Sequence, residues 1–324
     1  MRDTSIDLRR ASVTASTVSR YAQAISFFMN YLFILEIVLG PAPSEALLDE
    51  TVSDYIQWMF SQNLPKFQSN LIFAAVKDLF PRCHLATVRR VIKAWDRLEP
   101  STSAFPCPML YCVFIVYETL IGSNFGETAS FEFKLQLSVT VLMLFLGLFR
   151  PKEIRFLTRL HVSLGPSPNI TVRVRGKTEV RHNRPAVAVT IRDPFLHMLL
   201  SALLAIRAES LFDFTSNTFG RFCQSIFEHF PMFPRLIPYS FKRGGASDLF
   251  RRTGSFDVCV EQGRWQDIPS ARRYIETATA DQMLFELTPA WRDRMYHARA
   301  ELRLFAERGG MVGSSHLLDE ETSV

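Results

Sequence analysis

The sequence predicts a mainly α-helical protein with a small antiparallel β-sheet, divided into two domains. Apolar residues recur at spacings of three and four along most of the chain, which is the pattern of amphipathic helices. The alternation typical of strands is clear only in two stretches near the middle. The chain of 324 residues is long enough for about two domains, and its hydrophobic fraction of 48% can fill a sizeable core.

The first domain is expected to be helical, to cover residues 14–99 and to follow a flexible N-terminus at 1–13. Val18, Tyr21 and Ile25 open a helical spacing just after a Ser/Thr run, the residue type that caps helices. The helices predicted here are Thr17–Leu39, Leu48–Phe60, Phe67–Phe80 and Leu85–Leu98. The stretch 100–108 holds three prolines and two serines, which indicates a linker.

The second domain is expected over residues 109–290 and combines helices with the sheet. Its strand patterns are Ile170–Arg175 and Ala186–Ile191, and the turn-like residues Gly176-Lys177-Thr178-Glu179 between them predict a hairpin. The helices predicted here are Met109–Ile121, Phe131–Leu148, Pro194–Ile206, Thr215–Phe230, Tyr239–Phe250, Phe256–Gly263 and Thr288–Arg308, with a short element near Tyr274. Residues 291–308 are interpreted as a C-terminal helix outside the domain, and 309–324 as a flexible tail.

Several classes of protein are disfavoured by what the sequence lacks. The five cysteines are odd in number and scattered, without a CxxC pair or a Cys/His cluster, so neither a disulfide framework nor a zinc site is indicated. The longest apolar run, Leu137–Phe149, has 13 residues, and ~20 are needed to span a bilayer. P-loop, dinucleotide-binding and Ser/His/Asp signatures are absent. We therefore expect a soluble intracellular protein that needs no metal or cofactor and no membrane.

Positive charge is concentrated in two windows of the second domain. Residues 150–184 hold nine Lys and Arg against two acidic residues, and residues 235–273 hold eight against four. Clustered positive charge is the electrostatic footprint of a protein that binds polyanions such as nucleic acid. A solvated basic surface has the same composition, so charge alone leaves both interpretations open.

Five short motifs follow one another along this domain. In order they are Gly147-Leu148-Phe149-Arg150-Pro151-Lys152-Glu153-Ile154, Lys177 at the hairpin tip, Pro238-Tyr239-Ser240-Phe241-Lys242-Arg243-Gly244-Gly245-Ala246, Gly263-Arg264-Trp265, and Tyr274. Pro151 suits the first turn of a helix, so Arg150 is predicted at a helix junction where Glu153 can brace it. Tyr274 follows Trp265 by nine residues.

This ordered set resembles the tyrosine recombinase (phage-integrase-like) family, most closely its eukaryotic DIRS-like and Crypton-like mobile-element branch. That branch carries the pieces RPxE, HSFRxGAA and GRW…Y in the same order. The resemblance covers about residues 14–290. It implies a helical core-binding (SAM-like) domain and an α+β integrase-like catalytic domain that close around double-stranded DNA in the nucleus. It also implies that copies assemble on DNA through the C-terminal helix.

The resemblance further implies a reaction and a set of residues. A tyrosine hydroxyl attacks a DNA phosphodiester, which gives a 3′-phosphotyrosyl enzyme and a free 5′-hydroxyl without ATP or metal. Guanidinium groups stabilise the charge of the phosphorane. The catalytic residues implied are Arg150, Lys177 as general acid, Tyr239, Lys242, Trp265 and Tyr274 as nucleophile. The residues expected to contact DNA are Arg155, Arg173, Arg175, Arg181, Arg243, Arg264 and Arg273.

The third motif departs from the family pattern. Aligned through Ser240-Phe241 and Gly244, the family's histidine becomes Tyr239 and its second arginine becomes Lys242. A lysine keeps the charge but loses the two-pronged guanidinium contact. Arg243 is adjacent, but neighbouring side chains on a helix point about 100° apart.

Three functions follow from these observations. The first is DNA strand cleavage and rejoining, impaired by the substitutions. The second is DNA binding by a catalytically silent descendant of a recombinase. The third is a basic helical scaffold that binds an acidic partner. A type IB topoisomerase uses similar residues, but its eukaryotic forms carry extra domains for which this chain has no room. Each side chain also has an ordinary structural interpretation, such as a solvated turn lysine for Lys177 and packing roles for Trp265 and Tyr274.

Overall fold

The computed structural model describes residues 14–99, 104–122, 129–166, 168–175, 186–207 and 209–308. Within these residues the protein is mainly helical and contains a three-stranded antiparallel sheet, which confirms the predicted fold class. The chain divides into two compact units, Met1–Thr102 and Ser103–Val324, each with its own hydrophobic core.

The first unit packs four helices around a core rich in aromatic rings. These are α1 (Ala15–Ile34), α2 (Glu45–Ser61), α3 (Phe67–Leu79) and α4 (Ala86–Leu98). Thr14 and Ser44 cap α1 and α2, because each side chain accepts a hydrogen bond from an amide three residues further on. Asp49 of α2 accepts hydrogen bonds from the amides of Thr87 and Val88, at 2.8 and 3.0 Å, and so fixes the start of α4.

The second unit is built on α5 (Met109–Leu120) and α6 (Phe131–Leu146). Both are buried along most of their length, as expected for helices without a polar face. The helices around them are α7 (Pro151–Arg155), α8 (Pro194–Ile206), α9 (Ser216–His229), α10 (Pro238–Thr253), α11 (Phe256–Gly263), α12 (Ile268–Arg272), α13 (Thr277–Phe285) and α14 (Pro289–Arg308). Among the described residues, no helix has both the length and the apolar character needed to cross a lipid bilayer.

The sheet of the second unit lies against this helical core. It consists of β1 (Val162–Leu164), β2 (Asn169–Val174) and β3 (Val187–Arg192), in the spatial order β1-β2-β3. Val172 of β2 pairs with Val162 of β1 on one side and with Val189 of β3 on the other. Alternate residues of β2 are buried, so one face of the sheet joins the core.

Among the described residues, the structure contains elements that were not predicted, and one predicted helix is shorter than expected. Strand β1 was not predicted, because its three residues are too few to show an alternation. Helix α13 was not predicted either, since its sequence has only weak amphipathic periodicity. Helix α1 ends at Ile34 rather than Leu39, because Glu36 adopts a left-handed φ of 55° that a continuing helix cannot contain.

Candidate active site

A sharp turn between α6 and α7 carries Arg150. Leu148 has a φ of 48°, in the left-handed region that is costly for a residue with a side chain, and Arg150 is the last extended residue before α7. Glu153 accepts hydrogen bonds from the Arg150 amide at 2.8 Å and from its Nη1 at 2.7 Å. The carboxylate thereby orients a guanidinium whose side chain is still 28% exposed.

A second arginine completes a buried ion cluster around Glu153. The Nη2 of Arg264 donates to Glu153 Oε2 at 2.7 Å, and its guanidinium also donates to the carbonyls of Gly147 and Leu148. Burial on its own raises the pKa of Glu153, but Arg264 and Arg150 outweigh it and hold the pKa below its ordinary value. Arg264 was expected to contact DNA; its side chain is only 6% exposed and is held by Glu153.

Lys242, on α10, is fully enclosed beneath Trp265. Its Nζ donates to the carbonyls of Leu148 at 2.6 Å and Gly263 at 3.2 Å, and lies 4.8 Å from the centre of the Trp265 ring. Burial, reinforced by the two nearby guanidinium groups, lowers the pKa of this amine to about 6. Lys242 therefore ties separate backbone segments together, and its amine is not presented at the surface.

Arg243, the next residue on α10, reaches different neighbours. Its Nη2 is ion-paired with Glu276, and its Cζ lies 5.8 Å from the centre of the Tyr274 ring. The Arg243 side chain is 9% exposed, and its Nε has no hydrogen-bond partner. The amide of Glu276 donates to Ser247 Oγ at 2.8 Å, which ties the segment after Tyr274 to α10.

Tyr274 lies just beyond α12 and packs on Trp265. The two ring centres are 5.0 Å apart, and the ring planes are inclined by 35°. The Tyr274 amide donates to the Ala271 carbonyl at 2.9 Å, which fixes the residue at the end of the helix. Lys242 Nζ lies 5.9 Å from the Tyr274 ring centre. The phenol ring thus packs against Trp265 and lies close to the side chains of Lys242 and Arg243.

Tyr274 opens onto a surface cleft of about 340 Å³. The cleft is lined by two phenols, two guanidinium groups and two apolar side chains: Tyr239, Tyr274, Arg243, Arg273, Ala104 and Ile237. Tyr239 is 39% exposed. Burial and the nearby Tyr274 raise the pKa of the Tyr239 phenol, and Arg150 opposes that rise. Tyr239 is therefore close enough to both Tyr274 and Arg150 for their charges to influence its phenol.

Two glycines let α10 approach its neighbours closely. A Cβ added at Gly244 would lie 1.7 Å from the carbonyl oxygen of Cys107, and one at Gly245 would lie 1.9 Å from that of Phe145. The backbone of α10 therefore packs directly against α6 and against the segment that precedes α5. Because Lys242 and Arg243 immediately precede these glycines, this packing sets where their side chains emerge.

The chain can be compared with solved structures. The site-specific recombinase XerH bound to its difH substrate has a TM-score of 0.55 and 14% identity, covering 83% of this chain and 80% of that one. The Tn1549 transposon integrase in complex with transposon right-end DNA has a TM-score of 0.56 and 11% identity, covering 86% and 96%. A lambda integrase dimer bound to a COC′ core site has a TM-score of 0.53 and 11% identity, covering 82% and 73%.

The chain has a tyrosine-recombinase-like fold. At these identities the likeness concerns the fold. No protein-family model matches the sequence, and no curated protein matches it.

Within this tyrosine-recombinase-like fold, the predicted catalytic residues that are described surround one site. They are Arg150, Tyr239, Lys242, Trp265 and Tyr274. Lys177 and Arg181 lie outside the described residues. In the part of the chain that the structure describes, no group of three His, Cys, Asp or Glu side chains could hold a metal ion.

The arginines expected to contact DNA divide into two groups. Arg155, Arg173, Arg175 and Arg273 are exposed, and Arg273 lines the cleft. Arg243 and Arg264 are instead largely buried and paired with carboxylates. Sequence reasoning missed Glu276, because its pairing with Arg243 joins residues 33 positions apart and leaves no local pattern.

Proposed function

We propose that this protein breaks and rejoins DNA strands, with Tyr274 as the nucleophile. The observation that carries the proposal is the position of Tyr274 on an open cleft that it shares with Tyr239, Arg243 and Arg273. These groups offer hydrogen-bond donors and positive charge, and none of the described residues lining the cleft is a carboxylate. The tyrosine-recombinase-like fold supports the same interpretation, as do solved structures of similar fold that contain DNA.

In the proposed reaction, the Tyr274 hydroxyl oxygen forms a bond to the phosphorus of a DNA phosphodiester while the bond to the 5′ oxygen breaks. The phenol loses a proton and the leaving 5′ oxygen gains one, so the step balances without an oxidant or reductant. Arg150, oriented by Glu153 and partly exposed, stabilises the additional negative charge on the phosphorane. Lys177 is proposed as the proton donor on the family resemblance alone. Rejoining is the reverse step, with a 5′-hydroxyl as the attacking group.

A second candidate function, DNA binding without cleavage, is favoured by the burial of Lys242. Its amine is 0% exposed and already donates to two backbone carbonyls. At the position aligned with the family's second arginine, a phosphate therefore finds no guanidinium. If no other residue supplies that contact, the protein binds DNA and does not cut it.

Covalent trapping distinguishes the two candidates. The probe is a pool of labelled, nicked duplexes with randomised sequence around the nick, so that a cleaved strand loses its short fragment and cannot be rejoined. We expect wild-type protein to form a denaturant-resistant protein–DNA adduct and Tyr274→Phe to form none. Tyr117→Phe, which changes a half-buried tyrosine of α5, serves as the matched control and retains the adduct. Salt-dependent binding of the pool without any adduct would support the silent DNA-binding candidate instead.

We also propose that copies of the chain assemble on double-stranded DNA. Met295, Ala298 and Leu302 of α14 are buried, and this helix packs on α5 of its own unit. A contact between copies would therefore use the opposite face of α14. Sedimentation of the protein with and without duplex DNA tests this assembly. A nuclear location and an origin in a mobile element are proposed from the resemblance and the expected DNA substrate.

A further inference from the structure

Arg243 is a buried cation whose hydrogen-bonding capacity is only partly used. Its side chain is 9% exposed, its Nη2 pairs with Glu276, and its Nε has no hydrogen-bond partner. A buried unsatisfied donor is unfavourable, so its presence in a folded protein requires a reason. Arg243 also contributes to the lining of the cleft beside Tyr274. The unused donor therefore belongs to a side chain that a ligand in the cleft can contact.

The carboxylate that holds Arg243 is much less enclosed than the arginine itself. The Glu276 side chain is 33% exposed, and it makes no capping hydrogen bond although it precedes α13. Water can therefore solvate this carboxylate when it is released, which lowers the cost of separating the pair. The Glu276 backbone remains tied to Ser247, so the segment after Tyr274 keeps its position.

Lys242 and Arg243 lie almost equally far from the Tyr274 ring, with Nζ at 5.9 Å and Cζ at 5.8 Å from its centre. Lys242 is committed to two carbonyls of the backbone. Arg243 keeps the planar, multi-donor guanidinium that suits a phosphate, and it faces the cleft. Of these two adjacent residues, Lys242 is bound to the backbone and Arg243 faces the cleft.

We propose that the cleft is a phosphate-binding site in which Arg243 supplies the guanidinium that Lys242 does not. Glu276 neutralises Arg243 in the absence of DNA, and a DNA phosphodiester displaces it. Arg273, exposed at the cleft, adds a second positive charge. That the phosphate belongs to DNA rests on the proposed function, whereas the anion site itself rests on the lining of the cleft.

Fluorescence anisotropy with a short labelled duplex compares two arginine–carboxylate pairs, each of which joins α10 either to α13 or to the residue just before it. One is Arg243–Glu276, and the other is the exposed pair Arg251–Asp281. We expect Glu276→Gln to tighten DNA binding about tenfold and Asp281→Asn to change it by less than about twofold. Equal shifts in the two variants would overturn the proposal, because removal of any nearby negative charge would then explain them.

A double-mutant cycle gives the sharper result. Arg243→Gln should weaken DNA binding about tenfold and lower the slope of log Kd against log salt concentration by about one. In the Arg243→Gln background, Glu276→Gln should produce no further gain, since the freed arginine is absent. A tenfold gain that persists in that background contradicts the proposal. The Glu276→Gln comparison leaves the buried arginine in place, so it decides the matter even if Arg243→Gln proves unstable.

Inorganic phosphate separates failure of this inference from failure of the proposed function. At constant ionic strength, phosphate should raise the thermal unfolding midpoint of wild type and of Arg251→Gln, but not of Arg243→Gln. Phosphate stabilisation that depends on Arg243, in a protein that binds no DNA, would retain the anion site and remove the DNA function. If Arg243→Gln leaves DNA binding unchanged and phosphate does not stabilise the wild-type protein, the anion site is ruled out and the DNA function is retained.

Discussion

The candidate active site contains two arginine–carboxylate clusters, and they differ in how completely their carboxylates are satisfied. Glu153 accepts the Arg150 amide and one guanidinium N–H from each of two arginines, and its side chain is 4% exposed. Glu276 pairs with a single guanidinium, and its side chain is 33% exposed. The first cluster therefore serves as a fixed framework that orients Arg150, whereas the second can exchange its carboxylate for an incoming anion.

The largest expected effect comes from breaking the enclosed cluster. Glu153→Gln should lower the free energy of unfolding by about 3–5 kcal/mol, because it leaves the buried Arg264 without its compensating charge. Glu276→Gln should cost only about 1 kcal/mol or less, because water reaches its position. Urea unfolding of both variants measures the difference. If both variants lose the same free energy of unfolding, the enclosed and the exposed carboxylate do not differ in the way described.

The next effect concerns the packing of α10, the helix that carries Arg243 of the second cluster. Gly244→Ala should destabilise the protein by about 1–3 kcal/mol, since its new Cβ would overlap the Cys107 carbonyl. Gly220→Ala provides the matched control, because a Cβ there, on α9, meets nothing within 4 Å. Alanine favours a helix over glycine by about 1 kcal/mol, so this control should be neutral or stabilising. Thermal or urea unfolding of both variants checks the prediction, and a Gly244→Ala protein as stable as wild type would contradict the close approach.

A smaller effect, visible only across a pH series, tests the role of Lys242. Between about pH 6 and its ordinary pKa near 10.5, the unfolded lysine binds a proton that the folded one does not. The free energy of unfolding should therefore rise with pH in this window, by about 1 kcal/mol per unit relative to Lys242→Met. Lys77→Met is the control. That amine also donates to two carbonyls, but from a partly exposed position, so the comparison isolates the effect of full enclosure of the amine. Parallel pH profiles for wild type and Lys242→Met would show that Lys242 is charged in the folded protein.

Local patterns in the sequence were sufficient for most helices, for two strands and for the Arg150–Glu153 contact. Each of these depends on residues only a few positions apart, so periodicity, capping residues and a proline at a helix start carry enough information. Strand β1 was not predicted because it has only three residues and is defined by its pairing with β2 rather than by a pattern of its own.

The hydrogen bonds and ion pairs inside the site could not be predicted in the same way. Arg264 reaches Glu153 across 111 positions, and Lys242 reaches the Leu148 carbonyl across 94. Nothing near either residue in the sequence distinguishes a buried brace from a DNA-facing charge. The same absence of a local signal concealed the burial of Lys242.

The central claim is that the Tyr274 hydroxyl is the group that reacts with DNA phosphate, and the identity of the linked residue tests it most directly. Protein trapped on the nicked duplex pool is digested with protease and nuclease, and the nucleotide-bearing peptide is sequenced by mass spectrometry. We predict a single peptide in which a 3′-linked nucleotide is esterified to Tyr274. A nucleotide attached to Tyr239, the other phenol of the cleft, or to any residue outside it would contradict the account.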